Sequence, residues 1–316
     1  MGEFELIRQY FQPLASNARN DQLVLGPGDD CAIQRVPPGR DLVFSVDTLV
    51  EGVHFPPHYA PSHLGWRSLA VAVSDLAAMG AEPVCFTLAL SLPEAGSDWL
   101  AGFAEGLSRA SQAFGITLAG GDTTRGPLTI TIQVHGTVKA GQALLRSGAR
   151  EGDRVCVTGP LGNAGAALDY LEDPEPGARQ RALLASYHSP QPQLKLGASL
   201  AGKASAAIDI SDGLLADLQH ILEASGVGAE LDVASIPMSE ELRQLQGVRA
   251  LDLALTAGDD YQLCLTIAPE ALAALPAPVR EQLTVIGRIV PEPGLTLAGA
   301  PAGYQTQGYD HFGRSD

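Results

Sequence analysis

Residues 62–92, SHLGWRSLAVAVSDLAAMGAEPVCFTLALSL, place a helical pattern directly before a strand pattern. The helical part repeats apolar side chains on one face: Leu64, Leu69, Val73, Leu76 and Met79. Because Gly80 is a typical helix end, this spacing predicts a helix over 62–80. The residues that follow, PVCFTLALSL at 83–92, predict a buried strand. A helix followed by a buried strand indicates an α/β fold.

The flanking segments continue the alternation of strands and helices. The first half predicts a strand over 41–55, a helix over 99–114, a short strand over 116–119, a glycine-rich loop over 120–126 and a long alternating strand over 127–138. The second half predicts strand, loop and helix over 154–168, one helix within a polar segment over 172–193, strand, turn and helix over 206–226, and strands over 228–234, 261–267 and 283–290. We therefore predict an α/β (α+β) chain of two domains, 1–138 and 150–316, with a connector over 139–149.

The overall charge excludes two classes of partner. The 316 residues carry 36 acidic and 20 basic side chains, a net charge of −16, and 18% charged residues beside 45% apolar ones describe a globular protein. The three lysines, Lys139, Lys195 and Lys203, do not cluster. Nucleic acids and anionic membranes both require clustered cations, so neither is expected as a partner.

Cysteine usage and the N-terminus indicate a cytoplasmic, soluble protein. Cys31, Cys85, Cys156 and Cys264 lie far apart in apolar stretches without a CxxC pair, which predicts buried thiols rather than disulfides or a zinc site. The opening MGEFELIRQYF lacks the pattern of a signal peptide, and no apolar run reaches 18 residues.

The aspartates lie beside glycine or inside apolar sequence, not in mixed charged faces. They are Asp29, Asp30, Asp47, Asp75, Asp122, Asp209, Asp212, Asp259 and Asp260. Any single one can be a helix cap or an Asx-turn residue. Capping does not explain Asp47 and Asp75, because core-type residues flank both, and an ionised carboxylate there needs a compensating cation or donors. The set predicts a site where Mg²⁺ bridges a polyanion.

Glycine-rich turns accompany these aspartates. GPGDD, AGGDTTRG, GPLGNAG and AGDD are places where backbone amides can approach phosphate oxygens, although each alone is also an ordinary loop. Arg125 and Arg146 lie in or just after such turns and are candidates either for phosphate contacts or for surface ion pairs.

Several well-known catalytic motifs are absent. GASLAGKA at 197–204 matches G-x-x-x-x-G-K but then has alanine where a P-loop needs Ser or Thr, and it follows a helix instead of a strand. Lys203 is therefore predicted to be a cation at a helix C-terminus. No GxSxG or HExxH occurs.

Seven phrases occur in an order that resembles the thiamine-monophosphate kinase family, part of the aminoimidazole ribonucleotide synthetase-like superfamily. They are GDDCA, SVDTLVEGVHF, AVSDLAAMGAEP, GGDTTRGP, IDISDGLLADL, GDDYQL and GYDHF, spread over about residues 26–313. The resemblance implies a two-domain fold whose N-terminal ATP/Mg-binding domains pair into a β-barrel at a homodimer interface. It also implies in-line, Mg²⁺-assisted phosphoryl transfer from ATP to thiamine monophosphate, with several Mg²⁺ ions.

The resemblance also implies the site residues. Metal coordination falls on Asp30, Ser45, Val46, Asp47, Asp75, Asp122, Asp209 and Asp212, and five of these act in catalysis through bound Mg²⁺: Asp47, Asp75, Asp122, Asp209 and Asp212. ATP contacts fall on Gly121, Asp122, Arg146 and Ser211, and thiamine monophosphate contacts on His54, Asp260 and Tyr309.

One departure from the family pattern affects the acceptor site. The family commonly has acidic residues on both sides of an aromatic, whereas Tyr261 here is followed by Gln262, so the position of the acidic contact stays open. The alternatives are another ATP-dependent synthetase of the superfamily or a non-catalytic ATP-binding maturation protein. Residues 1–25 lack cysteine and lysine, and the chain ends HFGRSD without cysteine, which disfavours the selenophosphate synthetase and maturation-protein types.

Overall fold

The computed structural model describes residues 3–16 and 20–300 and divides into two compact units. Of these residues, the first unit comprises 3–16, 20–76 and 81–142, and the second comprises 77–80 and 143–300. The division after Gln142 falls inside the connector expected over 139–149.

The first unit is built on a four-stranded sheet with order β3-β6-β4-β5. Its elements are α1 Glu3–Leu6, a π-helical turn Ile7–Phe11, a 3₁₀ turn Gln12–Ser16, β1 Leu23–Leu25, β2 Ile33–Gln34, β3 Arg40–Val50, α2 Pro61–Ala78, β4 Glu82–Leu92, α3 Ser97–Phe114, β5 Thr117–Arg125 and β6 Thr129–Lys139. β6 pairs antiparallel with β3 and β4, and β4 pairs parallel with β5. Within the described residues this sheet is open, so a single chain forms no closed barrel.

The two faces of the β3-β6-β4-β5 sheet differ in what covers them. On one face Ile130, Ile132 and Val134 of β6 are buried in the core. On the other face Phe44 is 63% and Val46 58% exposed. Because side chains alternate along a strand, one face packs inward. Among the described residues, the other face is uncovered along β3, whereas its Cys85 is buried beside Leu23 and Gln34.

Two predicted boundaries in the first unit are wrong. The strand predicted over 41–55 ends at Val50, because Gly52 turns the chain with φ +78° and its amide donates to the Phe55 carbonyl at 2.8 Å. Residues 120–125 were predicted to be loop but continue β5. A β-carbon on Gly121 would overlap the Leu88 carbonyl oxygen, so glycine here permits close pairing with β4.

The second unit is built on a six-stranded sheet with order β12-β9-β11-β7-β10-β8. Its elements are β7 Arg154–Val157, α4 Asn163–Ala167, α5 Ala178–His188, α6 Leu194–Leu200, β8 Ala206–Asp209, α7 Leu214–Ser225, β9 Gly228–Asp232, α8 Glu240–Gln246, α9 Ala250–Thr256, β10 Leu263–Ile267, α10 Pro269–Ala274, α11 Ala277–Arg280, β11 Thr284–Val290 and β12 Gly294–Ala298, with 3₁₀ turns at Leu168–Tyr170, Val233–Ser235 and Gly247–Arg249. All neighbouring strands are antiparallel except β12 and β9. The core of this unit packs α7 and α9 against the sheet through residues such as Leu218, Leu255 and Cys264.

The prediction of buried thiols is confirmed for three cysteines and wrong for the fourth. Cys85, Cys156 and Cys264 are buried, and burial raises the pKa of Cys85 to about 11 and that of Cys156 to about 12. Cys31 is exposed, because the GDDCA phrase forms a surface loop between β1 and β2.

Among the helices of residues 3–16 and 20–300, none combines the length and the apolar character needed to cross a bilayer.

Candidate functional site

Ser45, Asp47 and Asp75 lie on the inward face of the first sheet. Ser45 and Asp47 are two residues apart on β3, so both point to the face that carries the core. The Ser45 hydroxyl donates to Oδ2 of Asp75, which lies on α2. All three are partly exposed. The structure therefore joins two of the predicted ligands directly, both of them hard oxygen donors.

Strand register places Asp122 on the opposite face from Asp47. Across the sheet, Asp47 is in register with Ile132, then Leu88, then Gly121. The neighbouring row is Thr48, Thr131, Ala89 and Asp122, and the Thr48 and Thr131 hydroxyls hydrogen-bond at 2.9 Å on the uncovered face. Gly121 thus shares the Asp47 face at three strand spacings, about 14 Å.

His54 and Asp30 lie in turns of the first unit. His54 follows β3 inside the turn that ends the strand, and its Nδ1 accepts from the Val50 amide at 3.0 Å. In the neutral ring the proton then sits on Nε2, which makes that atom a donor. Asp30 is exposed in the loop between β1 and β2, where its amide donates to Oδ1 of Asp29 at 3.1 Å.

In the second unit the IDISDG phrase forms a tight loop between β8 and α7. Asp209 ends β8 and is 6% exposed, whereas Ser211 and Asp212 are half-buried. One buried carboxylate, Asp217 of α7, accepts the amides of Ser211, Asp212 and Gly213 at 2.9, 3.0 and 3.1 Å. Asp217 was not among the predicted site residues. The sequence feature that could have identified it is an aspartate in the first turn of the helix that follows S-D-G.

The GDDY segment packs directly against this loop. The Asp259 amide donates to the Ser211 carbonyl at 2.9 Å, and the Tyr261 amide donates to the Ile210 carbonyl at 2.8 Å. A β-carbon on Gly258 would overlap the Ser211 carbonyl oxygen, so this contact requires glycine. Asp259 and Tyr261 have φ of +69° and +49°, a strained backbone that non-glycine residues adopt rarely. Backbone hydrogen bonds therefore join two acidic phrases that are nearly fifty residues apart.

The two aspartates of this segment have different environments. Asp260 is 9% exposed, and its carboxylate accepts the Gly162 amide at 2.7 Å. Burial raises the pKa of Asp260 to about 7, against the opposing effect of the amide donors. Asp259 is half-buried, and its Oδ1 accepts from the Tyr261 hydroxyl at 2.9 Å. The more accessible carboxylate is thus Asp259, whereas Asp260 binds the backbone at the start of α4.

The remaining predicted residues have simpler surroundings. Arg146 is exposed in the connector, with its carbonyl accepting from the Ser225 hydroxyl at 3.3 Å. Nε of Arg125 donates to the Pro93 carbonyl at 3.2 Å. Lys203 donates to the Ser199 carbonyl of α6 at 2.6 Å, which confirms its role at a helix C-terminus. Tyr309 lies outside the described residues.

In the part of the chain that the structure describes, no three His, Cys, Asp or Glu side chains are grouped so that they could hold a metal by themselves. This arrangement is compatible with Mg²⁺, which keeps several waters and is usually bound by one or two carboxylates plus substrate phosphates. The hydroxyl–carboxylate pair of Ser45 and Asp75 is a donor set of that kind.

Comparison with known proteins identifies the family. The AIR synthase related protein models match residues 28–138 with the N-terminal domain and 150–299 with the C-terminal domain. The thiamine-monophosphate kinase of Salmonella typhimurium is 41% identical over 321 residues, which cover 98% of each chain. The chain belongs to the thiamine-monophosphate kinase family of the AIR synthase related proteins, and it is accordingly a kinase of thiamine biosynthesis. The resemblance carried by the seven phrases is thereby confirmed.

Solved structures agree with this assignment. The thiamine-monophosphate kinase of Stenotrophomonas maltophilia K279a is 43% identical and superimposes with a TM-score of 0.84. The match covers 89% of this chain and 92% of that chain. A complex of AaThiL with AMPPCP and TMP is 31% identical, with a TM-score of 0.80 over 98% of this chain and 97% of that chain. The two-domain α/β fold is therefore that of the family.

The raised pKa of Asp260 predicts a pH-dependent stability. Between its ordinary pKa and about 7, the folded chain holds this proton more firmly than the unfolded chain, so its contribution to the free energy of unfolding falls as pH rises. Asp260→Asn removes that contribution. We expect the stability advantage of wild type over Asp260→Asn, measured by urea unfolding, to shrink from pH 5 to pH 7.5. An advantage that stays constant or grows over this range contradicts the assignment.

Proposed function

We propose that the chain transfers the γ-phosphoryl group of ATP to thiamine monophosphate, giving ADP and thiamine diphosphate. The observation that carries the proposal is the match to thiamine-monophosphate kinases along 98% of both chains. The complex of AaThiL with AMPPCP and TMP supports it, because a related chain holds an ATP analogue together with TMP. The aspartates of the acidic phrases are proposed to hold the cations that two phosphorylated substrates require.

The charge balance supports dependence on Mg²⁺. Both substrates are anions that repel each other at close approach, and a chain of net charge −16 cannot neutralise them with three lysines. Bound Mg²⁺ would supply the positive charge between the two phosphates. The proposed ligands are the side chains of Asp30, Ser45, Asp47, Asp75, Asp122, Asp209 and Asp212 with the carbonyl of Val46. Because Asp122 lies on the opposite sheet face from Asp47, it would hold a different ion. The direct contact between Ser45 and Asp75 supports two of these assignments.

The phosphate of thiamine monophosphate has to be aligned with the γ-phosphoryl group of ATP, but it does not need a strong general base. A phosphate monoester is largely ionised near neutral pH, so the attacking oxygen requires no strong proton acceptor. We therefore propose a direct in-line transfer in which the protein positions the two substrates and stabilises the transition-state charge. In this scheme Gly121, Arg146 and Ser211 contact ATP together with Asp122.

Thiamine monophosphate has a cationic ring system at one end and a phosphate at the other. His54 is proposed to donate from Nε2 to the acceptor phosphate, since Nδ1 already accepts from the Val50 amide. A carboxylate of the GDDY segment is proposed to contact the thiazolium ring. Asp259 is favoured over Asp260 for this contact, because Asp259 is more exposed and Asp260 binds the Gly162 amide. Tyr309 is proposed to stack on a thiamine ring.

The uncovered face of the first sheet is proposed as the homodimer interface. Leu42, Phe44 and Val46 follow one another along β3 and are 42%, 63% and 58% exposed. β3 is also an edge strand of the sheet among the described residues. Exposed apolar rows on an edge strand are disfavoured unless another surface covers them. A second copy of this sheet would cover the row and close the barrel that the family resemblance implies.

The proposed reaction is tested by measuring product formation from ATP. Wild type should form ADP and thiamine diphosphate from thiamine monophosphate, with no turnover on free thiamine and none in EDTA. Asp75→Asn should lower kcat by about 100-fold or more, because it removes a charged ligand of the Mg²⁺ that would neutralise the two phosphates. The control Asp232→Asn changes an exposed turn aspartate and should keep wild-type kcat. Equal turnover with thiamine, or full activity of Asp75→Asn, contradicts the proposal.

The dimer is tested by a charge in the apolar row. Phe44→Glu should convert a dimer into a monomer in light scattering, because the interface would have to bury two carboxylates. Val248→Glu is the matched control, since Val248 is 99% exposed in the second unit and its replacement should leave the mass unchanged. A monomeric wild type, or a Phe44→Glu variant that remains dimeric, overturns this interface.

A further inference from the structure

Asp217 makes an unusual set of contacts for a helix residue. It is the fourth residue of α7 and is 2% exposed, so it cannot itself contact a substrate. Its Oδ2 accepts three successive amides, those of Ser211, Asp212 and Gly213, at 2.9–3.1 Å. These three amides belong to the loop before α7, since Gly213 is the residue that directly precedes the helix. A carboxylate of the helix thus binds the backbone of the loop that leads into it.

The same loop is also fixed from its other side. The Ser211 carbonyl accepts the Asp259 amide at 2.9 Å, and the Ile210 amide donates to the Gln262 carbonyl at 2.7 Å. The backbone from 210 to 213 is therefore held by Asp217 on one side and by the GDDY segment on the other. The loop side chains that remain partly exposed are those of Ser211 and Asp212.

We propose that Asp217 is a positioning residue for phosphoryl transfer: its carboxylate fixes the 211–213 backbone so that Ser211 and Asp212 meet the Mg²⁺–nucleotide in a set geometry. The inference rests on the proposed function, in which Ser211 contacts ATP and Asp212 a metal. Burial raises the pKa of Asp217 to about 7, so above that pH its hydrogen bonds from three amides are charge-assisted and restrict the loop strongly. Groups that orient metal ligands typically change metal affinity or activity 10- to 100-fold when removed.

If Asp217 had a purely structural role, replacing it would change stability alone. A second buried aspartate in the same unit provides a control for this possibility. Asp153 is 4% exposed in the same unit, and its Oδ2 accepts the Arg150 amide at 3.0 Å. It precedes β7 at the Ile267 end of β10, whereas Asp209 is paired at the Leu263 end. Asp153→Ala therefore removes a comparable buried carboxylate at the other end of the strands.

The experiment compares Asp217→Ala, Asp217→Asn and Asp153→Ala at a temperature where all are folded. Calorimetry measures the Kd of AMPPCP with Mg²⁺, steady-state kinetics measure kcat and KM, and hydrogen exchange follows the amides of residues 211–213. Asp217→Ala should weaken AMPPCP binding about 10- to 100-fold, lower kcat and accelerate exchange at these amides. Asp217→Asn, which keeps one acceptor oxygen, should lose less. Asp153→Ala should lose stability but keep its Kd within about twofold.

The outcomes separate this inference from the proposed function. Wild-type Kd, kcat and exchange in Asp217→Ala overturn the positioning role, as does an equal loss of affinity in Asp153→Ala. If Asp217→Ala fails to fold, Asp217→Asn decides, and wild-type affinity and exchange in that variant overturn the role. If wild type does not turn over thiamine monophosphate, the proposed function fails, while calorimetry and hydrogen exchange still decide the role of Asp217.

Discussion

The second unit depends on a set of backbone hydrogen bonds at one end of the β8–β10 pair. There the carbonyl of Ser211 and the amide of Asp259 join two acidic phrases that are far apart in the sequence. Burial and a neighbouring carboxylate raise the pKa of both Asp217 and Asp260, so their ionised forms persist only with compensating donors or cations. Asp217 and Asp260 each accept backbone amides, which meets part of this requirement.

The regular elements of the first unit were predictable because their signals are local. The apolar spacing of α2 and α3 needs only the helix period, and Gly115 ends α3 in the left-handed conformation with φ +65°. The glycine pair in β5 misled the prediction, since Gly120 and Gly121 suggest a loop unless the close approach of β4 is known. The short helices α8 to α11 and strand β12 carry too few residues to show a period.

The sequence suggested candidate site residues but not how they are arranged. The unusual flanks of Asp47 and Asp75 indicated an oxygen-donor site, and the contact between Ser45 and Asp75 agrees with it. The strand register places Asp122 on the sheet face opposite Asp47. Register between strands that are distant in the chain cannot be read from one sequence. The different roles of Asp259 and Asp260 likewise depend on what α4 brings beside them.

The proposed function requires that these aspartates hold divalent cations beside a nucleotide. Its most direct test is an anomalous difference map from crystals of the protein grown with Mn²⁺ and AMPPCP. We expect peaks at coordinating distance from the side chain of Asp75, with nucleotide phosphates on the same ions. A map that shows bound AMPPCP but no ion beside any of the predicted aspartates would contradict it.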